Sequence, residues 1–274
     1  MRPLAAVNTW PVPNAAAATI SFDGSVETTG DTARPFSLAS ITKLLTTWAT
    51  LVAVEDGSLS LDMPVGQPGC TLRHLLGHAG GYPFSGTSPM APVGRRRIYS
   101  NSGIELVAST VEAATGIAFG TYLREALFEP LGMSASILVS SPAHGVTSTV
   151  ADMIAFVREL TQPRLIDRST LATATTAQFP DLAGRVPGVG VFRPCPWGLG
   201  FELHDGKAHH WMGATNSPAT FGHFGASGTM LWVDPVARTS LVALTDRRFD
   251  EWSADALRLW PALSDAVVAD ATAS

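Results

Sequence analysis

Cysteine is nearly absent. Only Cys70 and Cys195 occur in 274 residues, and neither sits in a CxxC pair or beside a histidine. That excludes a disulfide scaffold and leaves two reduced structural thiols. Charge is sparse too: 15% of residues are charged, the formal net charge is −5, and no basic run is longer than Arg95-Arg96-Arg97. Nothing in that balance draws the chain to a phosphate backbone or an anionic membrane, and the three arginines read as a solvated turn. Long hydrophobic runs are missing as well. No apolar stretch reaches the roughly 18 residues a spanning helix needs. Near the start, Asn8, Pro11, Pro13 and Asn14 interrupt any signal-peptide core. The expectation is a cytoplasmic chain with no membrane span and no nucleic-acid partner. Internal repeats and low-complexity tracts are lacking.

What is present is apolar and patterned. The hydrophobic fraction is 46%, enough for a large core in one sizeable domain. Strand-like sequence comes first: Ala17 to Phe22 and Ser25 to Thr29 flank Asp23-Gly24, a dipeptide suited to a tight hairpin. Residues Ala39 to Glu55 read as a helix stopped by Gly57. The middle is helical. Thr71 caps a short helix through Leu76, and Ser102 with Glu105 forms a capping box for a helix to Gly116. Further helices run from Phe119 to Phe128, ending before Pro130, and from Ser148 or Thr149 through Leu160, with Pro163 just past the end. Strands return at Gly198 to Leu203, Gly228 to Val233 and Thr239 to Thr245, and Glu251 to Ala269 closes the chain as a helix. Strands from both ends and helices between predict an α+β fold, with an antiparallel sheet flanked by terminal helices and an inserted helical lobe. The sheet lobe is expected at about 15–56 and 190–274 and the helical lobe at about 57–189, within one domain spanning 1–274.

Three short segments carry chemistry. Ser40-Ile41-Thr42-Lys43 lies at the start of the first long helix, where residues three apart share a face. A lysine can take the serine proton only if its own pKa falls, which desolvation and the positive helix end both favour. The same helix start offers N–H groups to an oxyanion. Alone, Ser-x-x-Lys also fits a helix cap followed by a surface lysine. Tyr99-Ser100-Asn101 precedes a capped helix, placing a proton-transfer group and an amide at a cleft. Gly222-His223-Phe224-Gly225-Ala226-Ser227-Gly228 leads into a strand, whose glycines allow a ligand backbone to come close.

With these three segments the chain resembles the serine β-lactamase and penicillin-recognising hydrolase superfamily, for part of which S-x-x-K, S-D-N and K-T-G are the signature set. Ser-x-x-Lys, Tyr-x-Asn and His-x-Gly look like its class C branch, which also holds β-lactamase-type carboxylesterases, D-aminopeptidases and D-alanyl-D-alanine carboxypeptidases. Leu72-Arg73-His74-Leu75-Leu76-Gly77-His78-Ala79-Gly80-Gly81 and Phe128-Glu129-Pro130-Leu131-Gly132-Met133 resemble two further segments of that branch, and order and spacing agree from about Phe36 to Thr245. The resemblance implies Ser40 as acylated nucleophile, Lys43 as its proton partner and Tyr99 as second proton-transfer group. Asn101, His223 and Gly225 become substrate contacts, and the N–H groups of Ser40 and Ala226 form the oxyanion hole. It implies no cofactor and no metal, and a small ester, amide or D-amino-acyl substrate.

Two departures shape the expectation. The segment before Ser40 is short, so the first helix of the family looks missing or reduced. His223 replaces a lysine, and an imidazole with an ordinary pKa of about 6.5 is a weak carboxylate anchor at neutral pH. This favours a carboxylesterase over a D-amino-acid peptidase or a weak β-lactamase; a catalytically silent ligand-binding homologue is the alternative from another class. Among decoys, Ser227 lies in Gly225-Ala226-Ser227-Gly228-Thr229, which misses G-x-S-x-G and precedes a strand. His204, His209 and His210 read as structural or surface residues, His74 and His78 as packing. Tyr82, Phe84, Trp197 and Trp211 read as core first and pocket lining second.

Overall fold

The computed structural model describes residues 3–273. After a 3-10 helix at Pro3–Thr9, β1 (Ala15–Ser21) and β2 (Val26–Thr29) form the expected hairpin, with Gly24 at φ +94 in its turn. A short strand β3 (Phe36–Ser37) leads into a 3-10 turn at Ala39–Ile41 and then helix α1 (Thr42–Glu55). The helical middle comprises α2 (Leu72–Leu76), α3 (Asn101–Thr115), α4 (Phe119–Leu123) and α5 (Glu129–Leu131). Strand β5 (Val146–Ser148) then pairs with both β3 and β4 (Ile137–Leu138), followed by α6 (Val150–Thr161) and α7 (Arg168–Ala174). A small hairpin, β6 (Gly184–Val186) with β7 (Gly190–Phe192), precedes β8 (Glu202–Leu203), β9 (Phe221–Gly225), β10 (Thr229–Asp234), β11 (Thr239–Thr245) and the closing helix α8 (Ser253–Ala273).

The main sheet has six strands in the order β2-β1-β11-β10-β9-β8, every neighbouring pair antiparallel. Side chains alternate between its faces, as a strand requires. Ala16, Ala18 and Ile20 of β1, Leu231 and Val233 of β10, and Val242 and Leu244 of β11 join a core with α1 and α6. Ala17, Met230, Trp232, Leu241 and Ala243 face the opposite core, formed with Leu4, Val7 and α8. Because both faces are buried, β10 and β11 read as continuous apolar runs instead of alternating ones.

Several local expectations needed correction. Helix α3 begins at Asn101, capped by Ser100, whose Oγ accepts from the Gly103 N–H; Ser102 and Glu105 form no capping box. The true cap lies two residues earlier because Ser100 is still extended (φ −138) and can turn its hydroxyl onto the first turn. The helix from Phe119 does not end before Pro130. It passes through a π turn at Arg124–Phe128 and continues to Leu131, with Pro130 in a first-turn position where its missing N–H costs nothing. The first described element, the 3-10 helix Pro3–Thr9, packs beside α8. Arg95-Arg96-Arg97 is not a uniformly solvated turn, since Arg97 is buried. Among the described residues no single helix is long and apolar enough to cross a membrane; α3 with the segment Phe119–Leu131, bent by 88°, passes on length and composition only.

Candidate active site

Helix α1 runs through the centre of the molecule and is buried on nearly every side, as an all-round apolar helix must be. That placement takes Lys43 out of water entirely, although its neighbour Ser40, in the preceding 3-10 turn, stays partly exposed. The turn is anchored from below. The Leu38 N–H donates to Val146 O at 2.9 Å, Thr229 Oγ1 donates to Leu38 O at 3.0 Å, and Ala39 holds an unusual φ of +45. Strand β9 runs hard against it: a Cβ on Gly225 would sit 2.3 Å from Leu38 O and 3.2 Å from Ala39 Cβ. The glycine of the His-x-Gly segment is thus required by the approach of β9 to the Ser40 turn.

Lys43 Nζ lies 3.1 Å from Ser40 Oγ, 2.6 Å from Asn101 Oδ1 and 2.9 Å from Ala143 O. Among the described residues no carboxylate touches it. Burial pulls its pKa down to about 7, against a smaller upward pull from Glu105. The protonation state changes what the three contacts mean. An ammonium spends three N–H donors on three oxygens. A neutral amine donates to Asn101 Oδ1 and Ala143 O, and its lone pair is left for the Ser40 hydroxyl. The two carbonyls therefore aim the basic electron pair.

Tyr99 stands over this pair, with Lys43 Nζ 4.7 Å from its ring centroid. Desolvation pushes the phenol well above its ordinary pKa, and a hydrogen bond to Ser40 offsets this only partly, so Tyr99 stays protonated. Its ring packs on His78 (4.8 Å), His223 (5.6 Å) and Trp197 (5.9 Å). The two histidines carry opposite tautomers. His78 Nδ1 accepts the Ser100 N–H at 3.3 Å, which puts its proton on Nε2. His223 Nδ1 donates to Phe224 O at 2.6 Å, which leaves Nε2 with a bare lone pair. Both are buried and uncharged at neutral pH: desolvation and the nearby Lys43 drive His78 well below the usual histidine range and His223 to about 4. Among the described residues neither Nε2 has a hydrogen-bond partner.

Ser40, Tyr99, His223 and Ala226 line one pocket of about 260 Å3, together with Phe84, Trp197, Phe249 and Glu202. Asn101 sits behind it through its bond to Lys43. Gly225 is buried between the pocket strand and the Ser40 turn. Ser227 lies apart, its Oγ donating to Ser37 Oγ at 3.2 Å. His74 completes the cap of α2 with Thr71, and Tyr82 and Trp211 are core.

Sequence reasoning missed Glu202. It is fully buried beside the pocket, where Oε1 accepts from His210 Nε2 (2.7 Å) and Lys207 Nζ (3.2 Å) and Oε2 accepts from Trp211 Nε1 (2.8 Å). Burial alone would raise its pKa, but Lys207 and His210, with the hydrogen bonds of His210 and Trp211, hold it far below the usual carboxylate range. His204 and His210, read as surface or structural, belong to this buried cluster, while His209 is exposed. The cysteines are buried and free, and burial raises both thiols to about 11. Among the described residues no group of three His, Cys, Asp or Glu side chains is gathered for a metal.

An antiparallel sheet with helices on both faces and a Ser-x-x-Lys turn between them is the plan of the β-lactamase-fold hydrolases. The family described as Beta-lactamase matches residues 23–264, and the chain belongs to it. The chain is similar to a β-lactamase of known crystal structure from Mycobacterium bovis, 50% identical with a TM-score of 0.95, covering 98% of this chain and 99% of that one. A mutant simvastatin synthase from Aspergillus terreus shares the fold at 17% identity, with a TM-score of 0.81 over 98% of this chain and 93% of that one. A penicillin-binding protein of Bacillus subtilis (strain 168) is 27% identical over 132 residues, 36% of this chain and only 29% of that protein.

Proposed function

We propose that the chain is a serine hydrolase that cleaves esters through an acyl-enzyme on Ser40. The observation carrying this is the Lys43 environment: an amine with a pKa of about 7, two N–H groups committed to Asn101 Oδ1 and Ala143 O, and a lone pair left for Ser40. Lys43 takes the hydroxyl proton as Ser40 Oγ bonds to the carbonyl carbon. The N–H groups of Ser40 and Ala226 receive the resulting oxyanion. As the intermediate collapses, Tyr99 gives its proton to the leaving oxygen and recovers one from Lys43. Water then repeats the sequence in reverse order, its proton passing to the Tyr99–Lys43 pair while Ser40 departs.

The choice of esters rests on His223. Its one ring proton is spent on Phe224 O, and its Nε2 has only a lone pair to offer. Such a group repels the carboxylate that β-lactams and peptide C-termini carry, and it accepts a hydrogen bond from an N–H or O–H. A second reading, β-lactam hydrolysis, is favoured by the description of the Mycobacterium bovis protein as a β-lactamase.

Intact-mass spectrometry separates these. Wild type and Ser40→Ala are incubated with a fluorophosphonate, p-nitrophenyl butyrate and penicillin. The expected result is a wild-type adduct absent from Ser40→Ala, ester turnover falling at least ~10³-fold in that variant, and most activity retained in Ser227→Ala. Faster turnover of penicillin than of the ester establishes the second reading. Absence of any adduct on folded protein overturns both and leaves a ligand-binding homologue.

A further inference from the structure

A second cavity, about 790 Å3, adjoins the catalytic pocket and shares Phe84, Tyr99 and Pro187 with it. Its wall is unlike the rest of the chain. The molecule carries net charge −5, yet five of its 18 Lys and Arg residues line this one cavity and no Asp or Glu does. Arg97 is structural: its guanidinium donates to Cys195 O (2.5 Å), Gln178 O (2.7 Å), Phe179 O (3.0 Å) and Gly77 O. Together with its own N–H on Ala183 O, this fixes one wall against the other. Arg95, Arg96, Arg185 and Arg193 are exposed, and none forms an ion pair among the described residues. On the catalytic-pocket side, by contrast, Arg248 is held by Asp250 through two contacts of 3.1 Å.

The floor between these arginines is apolar. Phe84, Met90 and Val191 are each more than half exposed, and all three line this cavity, half of the six large hydrophobic residues so exposed among the described residues. Exposed apolar surface beside unpaired cations fits a ligand with an apolar body and an anionic end. Orientation follows from Tyr99. It is the protonated group against Ser40, so the leaving oxygen departs toward it, and it is also a wall of the second cavity.

We propose that this cavity is the leaving-group subsite, and that the substrate is an ester whose alcohol half is an aryl or alkyl body ending in a carboxylate or phosphate. The proposal rests on the ester-hydrolase reading above and names its substrate class. His223 and the arginine rim then act at different ends of the substrate: no anion sits beside Ser40, and one is held beyond Tyr99.

The test compares 4-(carboxymethyl)phenyl butyrate with its neutral carboxamide, 4-(carbamoylmethyl)phenyl butyrate, which has nearly the same leaving oxygen. Wild type is expected to show kcat/KM roughly tenfold higher for the anionic ester at low salt, the size expected of several exposed ion pairs on one anion. The ratio should shrink in 0.5 M NaCl and fall to about one in the fourfold variant Arg95→Gln/Arg96→Gln/Arg185→Gln/Arg193→Gln, whose melting temperature reports that it is folded. A ratio near one in wild type, a ratio that survives the fourfold change, or a preference only when the carboxylate is in the acyl half overturns the proposal. Calorimetric titration with 4-hydroxyphenylacetate, its amide and phenyl phosphate judges the cavity independently. If neither ester is hydrolysed, the catalytic reading fails, yet salt-sensitive binding of the two anions over the amide, lost in the fourfold variant, still supports an anion subsite. The two anions also rank carboxylate against phosphate, and equal binding of anion and amide overturns the subsite.

Discussion

Two charged side chains are fully buried within reach of the same pocket, and they are treated in opposite ways. Glu202 is surrounded by Lys207, His210 and Trp211, and it is locked in its ionised form. Lys43 is surrounded by neutral oxygens, and its charge is destabilised until it titrates near pH 7. Dehydration is common to both; the presence of a compensating charge decides the outcome. A paired buried ion is frozen and serves structure. An unpaired one loses its proton near neutral pH, the property that the proposed base requires.

That contrast can be broken by experiment. Replacing the base has the largest effect: Lys43→Met should lower kcat/KM for p-nitrophenyl butyrate by about 10²–10⁴-fold while circular dichroism still shows a folded protein. An activity within tenfold of wild type would place the base elsewhere. Glu202→Gln should act on stability instead. It leaves the Lys207 ammonium buried without its counter-charge, and urea denaturation should show a loss of about 3–5 kcal/mol. If stability holds and turnover collapses, Glu202 belongs to the chemistry and the contrast fails. The smallest effect concerns pH. Lys43 must be unprotonated, so kcat/KM should rise with pH through a midpoint near 7. The Glu105 carboxylate stabilises the ammonium, so Glu105→Gln should move that midpoint downward, by on the order of a few tenths of a unit for an exposed, screened charge. An upward shift would show that Glu105 acts by another route.

Much of the arrangement was legible in the residues because it is local. The three-residue spacing of Ser40 and Lys43, the β1–β2 hairpin around Asp23-Gly24, and the glycines after His223 all depend on near neighbours. The cap of α3 was misplaced because Ser100 and Ser102 offer the same hydroxyl two residues apart, and only the extended backbone at Ser100 decides between them. Pro130 misled because a proline that ends one helix also suits the first turn of the next. Glu202 was invisible for a different reason. Its partners Lys207, His210 and Trp211 come from a turn whose polar letters read as surface, and only the fold carries that turn inward. The second cavity was hidden likewise, since its walls lie nearly 90 residues apart and meet through Arg97.

Arg95, Arg96 and Arg97 are three identical letters with unequal freedom to change. A lysine at 97 would gather its donors on one nitrogen and could not span carbonyls from three separate segments, so that position is confined to arginine. Its two predecessors bear no structural duty and can drift through every charge. The fold thereby separates what it must keep from what it can vary: under the proposed anion subsite, substitutions at Arg95 or Arg96 alter which substrate binds and leave the scaffold held by Arg97 untouched.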